Sequence, residues 1–206
     1  MSKTNNQTIA AYNKTAEKYI QTSPQKVSAQ LGSWIDKNLS NLDKSAKILE
    51  IGSGSGKDAD YIESRGYTIQ LTDASQGFVD YLRAKGKTAR LLNAITDDLG
   101  LGYDMVFADA VFVHFTQSET DLVIKKIYKS LNQSGRLAFS LKAGSDEETT
   151  NRKINETRYF RYWQPADIKE VLKIVGFASI EIQVIDDYRG KARPDWLLII
   201  AVKGMG

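Results

Sequence analysis

From Lys47 onward the chain alternates between short apolar runs and longer amphipathic stretches. The runs "KILEIG", "YTIQLTD", "TARLLN", "YDMVFAD" and "GRLAFSLK" have strand length and strand composition. Between them, "KDADYIESRG", "SQGFVDYLRAKG" and "TQSETDLVIKKIYKSLN" carry apolar residues at helical spacing. This βαβ rhythm predicts an α/β fold whose parallel sheet has helices on both faces. Upstream, Ile9, Tyr12, Ala16 and Tyr19 share one helical face and Val27, Leu31, Trp34 and Ile35 another, with Pro24 near the start of the second helix. Downstream, "AGSDEETTNRKINET" reads as a loop, and Ile168, Val171, Leu172 and Val175 fall at i, i+3, i+4 and i+7 of a helix. The chain then closes with "ASIEIQVIDD" and "WLLIIAVK", two strands joined by the polar turn "YRGKARPD". Such a closing hairpin puts one antiparallel strand into an otherwise parallel sheet of seven.

Composition narrows this picture by exclusion. A chain of 206 residues is expected to form one domain. Its 42% apolar and 26% charged residues are ordinary globular values, and its apolar runs fall far short of the ~18 residues of a membrane span. The N-terminal "MSKTNNQTIAAYNKTAEKY" lacks the apolar stretch of a secretory signal, which fits a cytoplasmic location. With no cysteine and a single histidine, thiol nucleophiles and Cys/His zinc sites drop out, and no metal is expected. The formal charge of +3 is too small to announce a nucleic-acid surface.

The densest chemistry lies in "EIGSGSG", Glu50 to Gly56, at the end of the first apolar run. A phosphate-binding P-loop ending at Gly56-Lys57 would need glycine at 51 and Ser or Thr at 58, where the chain has Ile51 and Asp58. A dinucleotide fingerprint counted from Gly52 and Gly54 lands on Lys57, and a nucleophile elbow meets Gly54 where serine is required. What remains is an acidic residue followed by G-x-G-x-G, a backbone against which a ligand can lie. Asp73, at the end of the second run in "LTDAS", follows Gly52 by roughly the 20 positions that bring a carboxylate beside the loop to accept a ribose diol.

Together with the strand rhythm, these motifs resemble the Rossmann-like, class I S-adenosylmethionine-dependent methyltransferases over nearly the whole chain. "LEIGSGSG" looks like that family's first motif, "LTDAS" its second, "GYDMVFADAVFVHF" its strand-four motif and "LNQSGRLAFS" its fifth. The resemblance implies S-adenosylmethionine as cofactor, with Gly52, Ser53, Gly54 and Gly56 along its methionine and ribose. It also implies that Glu50 braces the loop, that Asp73 holds the ribose hydroxyls, and that Ala74 flanks the adenine. Many relatives carry Asp-Ala after the third strand, where this chain has Asn93 and Ala94; the Asn93 carbonyl can take the adenine amino group, as can Asp97 or Asp98. In relatives with a similar start, the helix bearing Tyr12 and Tyr19 looks like a lid over the cofactor. The implied organisation is a helical lid over 1–44, a cofactor-binding core over 45–143, a substrate-side loop over 144–163, and a closing helix and hairpin over 164–206.

On the acceptor side, His114 follows the fourth strand and is the one imidazole able to take a proton near neutral pH, so it is the candidate base; a purely structural histidine is the alternative. "RKINETRYFRYW" interleaves cations and aromatics, which suits an anionic or aromatic acceptor or a solvated loop. Arg158 and Tyr159 are its candidate acceptor contacts. The function expected is methyl transfer to a small molecule. The rivals are a methyltransferase acting on nucleic acid or protein, disfavoured by the absence of Pro-Pro after strand four and of cysteine, and a non-catalytic nucleoside-binding or regulatory module.

Overall fold

The computed structural model describes residues 2–152, 154–187 and 195–205. Two helices, α1 (Lys3–Thr22) and α2 (Ala29–Leu39), lead into β1 (Ile48–Ile51), α3 (Lys57–Ser64), β2 (Ile69–Asp73), α4 (Gln76–Ala84) and β3 (Ala89–Leu91). After β4 (Tyr103–Ala108) come a 3-10 turn (Phe112–His114), α5 (Gln117–Ser130) and β5 (Leu131–Ala143). The chain then forms β6 (Glu147–Thr150), β7 (Arg158–Trp163), α6 (Pro165–Val175), β8 (Phe177–Ile185) and β9 (Trp196–Lys203). The polar turn expected between the last two strands falls at 188–194, outside the described residues.

The main sheet runs β3-β2-β1-β4-β5-β9-β8, with β9 antiparallel to both β5 and β8 and the remaining strands parallel. This is the seven-stranded sheet with one antiparallel strand that the closing hairpin predicts. One segment differs. The loop expected over 144–163 contains a hairpin, in which β6 pairs antiparallel with β7 (Glu147 opposite Arg161, Thr150 opposite Arg158). β7 in turn continues the sheet beside Lys142 and Ala143 of β5, beyond the point where β4 ends opposite Phe139. "EETT" is too polar to read as a strand, and the alternation of "RYFRYW" puts charges and aromatics on both faces instead of separating apolar from polar.

The parallel strands are apolar on both sides because both sides are covered. Leu49, Val106, Leu137 and Phe139 pack with Ile124 and Ile127 of α5 and Ile168 and Leu172 of α6. The alternate residues Ile48, Met105, Phe107 and Ala138 pack with Trp34 and Ile35 of α2, Ile62 of α3 and Leu82 of α4. A third, small cluster joins Ala16 and Ile20 of α1 to Phe78 of α4, flanked by Tyr12, Tyr19 and Tyr81. The face of α1 that is buried also includes Asn5 and Thr8, polar positions that an apolar-periodicity reading passes over. Capping closes α5 and α6: Thr116 and Glu119 form a reciprocal capping box at α5, and Gly176 ends α6 in the left-handed conformation. Among the described residues, no helix is long and apolar enough to cross a membrane.

Candidate active site

One cavity of about 920 Å³ opens at the carboxyl ends of β1, β2 and β4, bounded above by α1 and at the side by β7. Ligands of open α/β sheets lie in this place, where neighbouring crossovers leave the sheet in opposite directions. The floor is the loop after β1. Gly52 and Ser53 both donate their N–H to the Thr72 carbonyl (2.8 and 2.9 Å), which fastens the loop to β2. Gly52, Gly54 and Gly56 all have positive φ, for two different reasons. A Cβ on Gly52 would lie 2.4 Å from Val111 and one on Gly56 2.7 Å from Leu82, so these two are glycine because the core behind them is full. A Cβ on Gly54 would meet nothing within 4 Å, and this is the glycine whose open side faces the cavity.

Asp73 reaches the loop from the end of β2. Its Oδ2 accepts the Gly54 N–H (2.9 Å) and its Oδ1 the Ser75 N–H (2.8 Å), which leaves each oxygen a further lone pair. Burial raises its pKa to about 6 against the pull of the Ser75, Gly54 and Ala74 backbone N–H groups. Glu50 is also buried, below the loop and outside the cavity lining. Burial, then the neighbouring Asp58 carboxylate, raises it to about 8, and its Oε2 has no hydrogen-bond partner. Ala74, Asn93 and Ala94 line the same end of the cavity. The Asn93 side-chain carbonyl accepts the Ile95 N–H (3.0 Å), and its amide donates to Asn5 of α1 (3.0 Å). Asp97 sits outside this cavity and accepts the Asn93 backbone N–H (2.9 Å).

Past the loop, Asp109 and Ala110 follow β4. Ala110 has φ 56, a left-handed backbone that costs a non-glycine residue energy and that clusters at functional sites. Its N–H donates to the Ser140 hydroxyl (2.8 Å), which donates to Asp109 (2.6 Å). The Lys57 ammonium bridges Asp58 (2.6 Å) and Asp109 (3.3 Å); burial alone would lower its pKa, but the two carboxylates outweigh that and raise it.

At the far end, His114, Tyr12 and Arg158 form a chain of hydrogen bonds. His114 Nδ1 lies 2.7 Å from the Tyr159 carbonyl, an acceptor only, so the proton is on Nδ1 and Nε2 accepts from the Tyr12 hydroxyl at 2.9 Å. The Tyr12 hydroxyl accepts in turn from Arg158 (3.0 Å). Burial lowers the His114 pKa to about 4, with the Arg158 charge adding to it, so the ring is neutral through the physiological range. Tyr12 is driven upward by burial, then by Tyr19, and stays protonated. Phe160 closes this end, its ring 4.6 Å from that of His114.

The structure therefore gathers Tyr12, Tyr19, Gly52, Ser53, Gly54, Asp73, Ala74, Asn93, Ala94, His114 and Arg158 around one cavity. Glu50 and Gly56 support the loop from behind. Tyr159 is set apart by strand alternation: Arg158, Phe160 and Tyr162 line the cavity, while Tyr159 meets the site through its backbone, its N–H donating to Thr8 (3.2 Å). Sequence reasoning missed Phe160, Tyr162, Lys57 and Asp109. The alternation of "RYFRYW" carries a signal for the first two; the last two are joined only by the fold.

The open side of Gly54, the spare lone pairs of Asp73 and the small Ala74 and Ala94 fit a nucleoside with a sulfur-linked amino-acid tail. The fold is the Rossmann-like one of class I S-adenosylmethionine-dependent methyltransferases. Residues 49–137 match the model of a family described as "Methyltransferase domain". By sequence, no curated protein matches the chain. Among solved structures, DhpI in complex with S-adenosylhomocysteine is 15% identical with a TM-score of 0.74, over 98% of this chain and 97% of that one. The Burkholderia thailandensis 1,6-didemethyltoxoflavin-N1-methyltransferase, holding its namesake and S-adenosylhomocysteine, is 15% identical (TM-score 0.72, 97% and 87% covered). Haemonchus contortus phosphoethanolamine N-methyltransferase 2, with S-adenosylmethionine, is 16% identical (TM-score 0.72), over 96% of this chain and 57% of that one. At these identities the likeness is one of fold.

Proposed function

We propose that this chain transfers a methyl group from S-adenosylmethionine to a small-molecule acceptor, and that it does so in the cytoplasm. The observation that carries the reading is that one cavity is lined both by Gly54 and Asp73 and by Tyr12, His114 and Arg158. At about 920 Å³ it is at the upper end of the ~300–1,000 Å³ usual for ligand sites, with room for an acceptor beside a nucleoside. S-adenosylmethionine supplies a methyl on a positively charged sulfur, which the acceptor's lone pair displaces in line to leave S-adenosylhomocysteine. Gly52, Ser53 and Gly54 hold the cofactor, Asp73 takes its ribose hydroxyls, and Ala74, Asn93 and Ala94 receive the adenine. Tyr12 and Tyr19 close over it from α1. Positioning and exclusion of water contribute most of the rate, as the leaving group needs no proton. The lone pair of His114 is occupied by the Tyr12 hydroxyl, so a proton from the acceptor reaches the imidazole only through that hydroxyl.

Solved neighbours of the same fold hold a heteroaromatic in one case and, in another complex of the Haemonchus enzyme, phosphomonomethylethanolamine; the fold by itself does not select the acceptor. The test is a metabolite panel incubated with methyl-labelled S-adenosylmethionine. Label transferred to one compound class, and lost in Asp73→Ala, is the expected result. Tight cofactor binding with no transfer across the panel would favour a nucleoside-binding module instead.

A further inference from the structure

Among the described residues, every buried cation at or beside the cavity has a carboxylate partner except one. Lys57 has Asp58 and Asp109, Lys142 has Asp187, and Arg161, on the outer face of β7, has Glu147. Arg158 is only 4% exposed and lines the cavity, yet among the described residues no carboxylate lies within ion-pair distance of it. Among the described residues its side chain donates to a neutral hydroxyl, that of Tyr12, and its buried Nε has no partner. The guanidinium is flanked by the rings of Phe160 and Tyr12, with centroids 5.0 and 5.4 Å away, which hold the plane in place without neutralising it. Arginine cannot shed its proton to relieve burial, and an unpaired buried charge is costly unless something supplies the opposite charge.

We infer that Arg158 is the anchor for an oxyanion on the methyl acceptor, a carboxylate or a phosphate-type group, taken by the guanidinium where Arg158 lines the cavity. The inference deepens the methyltransferase reading and rests on it for the word acceptor. A planar fork held between two aromatic rings is preorganised for two oxygens of one anion. The Tyr12 hydroxyl stands between that anchor and His114, which places the anionic end of the acceptor next to the Tyr12–His114 pair and turns the rest of the molecule toward the glycine loop.

The rival source of negative charge is the cofactor's own methionine carboxylate, and the experiment separates the two. Calorimetry on the full chain measures S-adenosylhomocysteine and 5′-methylthioadenosine, which lacks that carboxylate, with wild type, Arg158→Gln, Arg158→Lys and the outer-face control Arg161→Gln. Inorganic phosphate and acetate are then titrated into each protein saturated with S-adenosylhomocysteine. The expected result is anion binding in wild type and Arg161→Gln, weakened roughly tenfold or more in Arg158→Gln and partly kept in Arg158→Lys, with S-adenosylhomocysteine affinity unchanged within about twofold. Binding of phosphate alone assigns a phosphate-type acceptor, and binding of acetate alone a carboxylate. The inference is overturned if neither anion binds the saturated wild type, or if Arg158→Gln weakens S-adenosylhomocysteine but not 5′-methylthioadenosine. Should wild type bind phosphate through Arg158 but no S-adenosylhomocysteine, the methyltransferase reading falls while the anion site stands. If Arg158→Gln does not fold, Arg158→Lys carries the comparison.

Discussion

Asp73 faces two demands that pull its proton in opposite directions. Burial raises its pKa to about 6 from an ordinary 3.8, so between those values the folded chain holds a proton that the unfolded chain has released. The stability this contributes is complete below about pH 3.8 and is lost as the pH rises through 6. Ribose hydroxyls need the carboxylate as acceptor, so cofactor binding favours the deprotonated form. Affinity for S-adenosylhomocysteine should therefore fall as the pH drops below 6, with proton release on binding that calorimetry in buffers of different ionisation enthalpy would read. Asp73→Asn should flatten that profile. At pH 7.5, Asp73→Ala should cost about 2–4 kcal/mol of cofactor affinity, since charge-assisted bonds contribute ~1.5–3 kcal/mol each and are not additive. A folded Asp73→Ala chain with unchanged affinity and pH profile would remove Asp73 from the cofactor site. The place of Asp73 beside the glycine loop was legible in sequence because it follows from a strand end and a spacing. Arg158 was legible as a candidate, but its lack of a counter-ion was not, because that depends on which carboxylates the fold brings near.

The element that covers the cavity from above is α1, and it is held differently from the rest of the molecule. Its apolar contact is the small cluster with Phe78, and most of its other ties are polar: Asn5 to Asn93, Thr8 to Tyr159, Tyr12 to His114 and Asn13 to Ser75. Such an element opens at lower cost than strands buried on both faces. Gly77 of α4 is where the two helices touch, and a Cβ there would stand 2.9 Å from the Ala16 Cβ and 3.2 Å from the Asn13 carbonyl. Gly77→Ala gains about 1 kcal/mol of helix propensity in isolation, but here α1 must move to make room. The expected outcome is a chain whose ligand-free melting temperature changes little and whose affinity for S-adenosylhomocysteine falls roughly tenfold or more, as a lid held by short polar contacts loses its register. Unchanged affinity in a folded Gly77→Ala chain would mean that α1 does not close over the cofactor. The helix itself was readable from Ile9, Tyr12, Ala16 and Tyr19. Its buried polar face was not, and neither was the β6–β7 hairpin, because both present polar side chains to the cavity and so carry no apolar period.

At the scale of the whole molecule, the parallel sheet was the most legible feature, since strands covered on both faces must be continuously apolar and the helices between them must be amphipathic. The order β3-β2-β1-β4-β5 was not read from the sequence, because pattern alone gives strands, not neighbours. What that order produces is a cavity whose walls come from segments far apart in the chain: α1, the ends of β1, β2 and β4, and β7. A ligand filling it ties the lid, the glycine loop and the hairpin together, and its binding energy adds to the stability of the folded chain as a unit. At one hundred times its dissociation constant, S-adenosylhomocysteine should add about 2.7 kcal/mol. For a chain of 206 residues, where 1 kcal/mol corresponds to ~2–4 °C, the melting temperature should then rise by roughly 5–11 °C. NAD should leave it unchanged, because the third glycine of a dinucleotide loop is replaced by Lys57, whose ammonium is already engaged by Asp58 and Asp109. Differential scanning calorimetry with each nucleotide decides between them: a shift with NAD and none with S-adenosylhomocysteine would reassign the glycine loop to a dinucleotide, and with it the cavity.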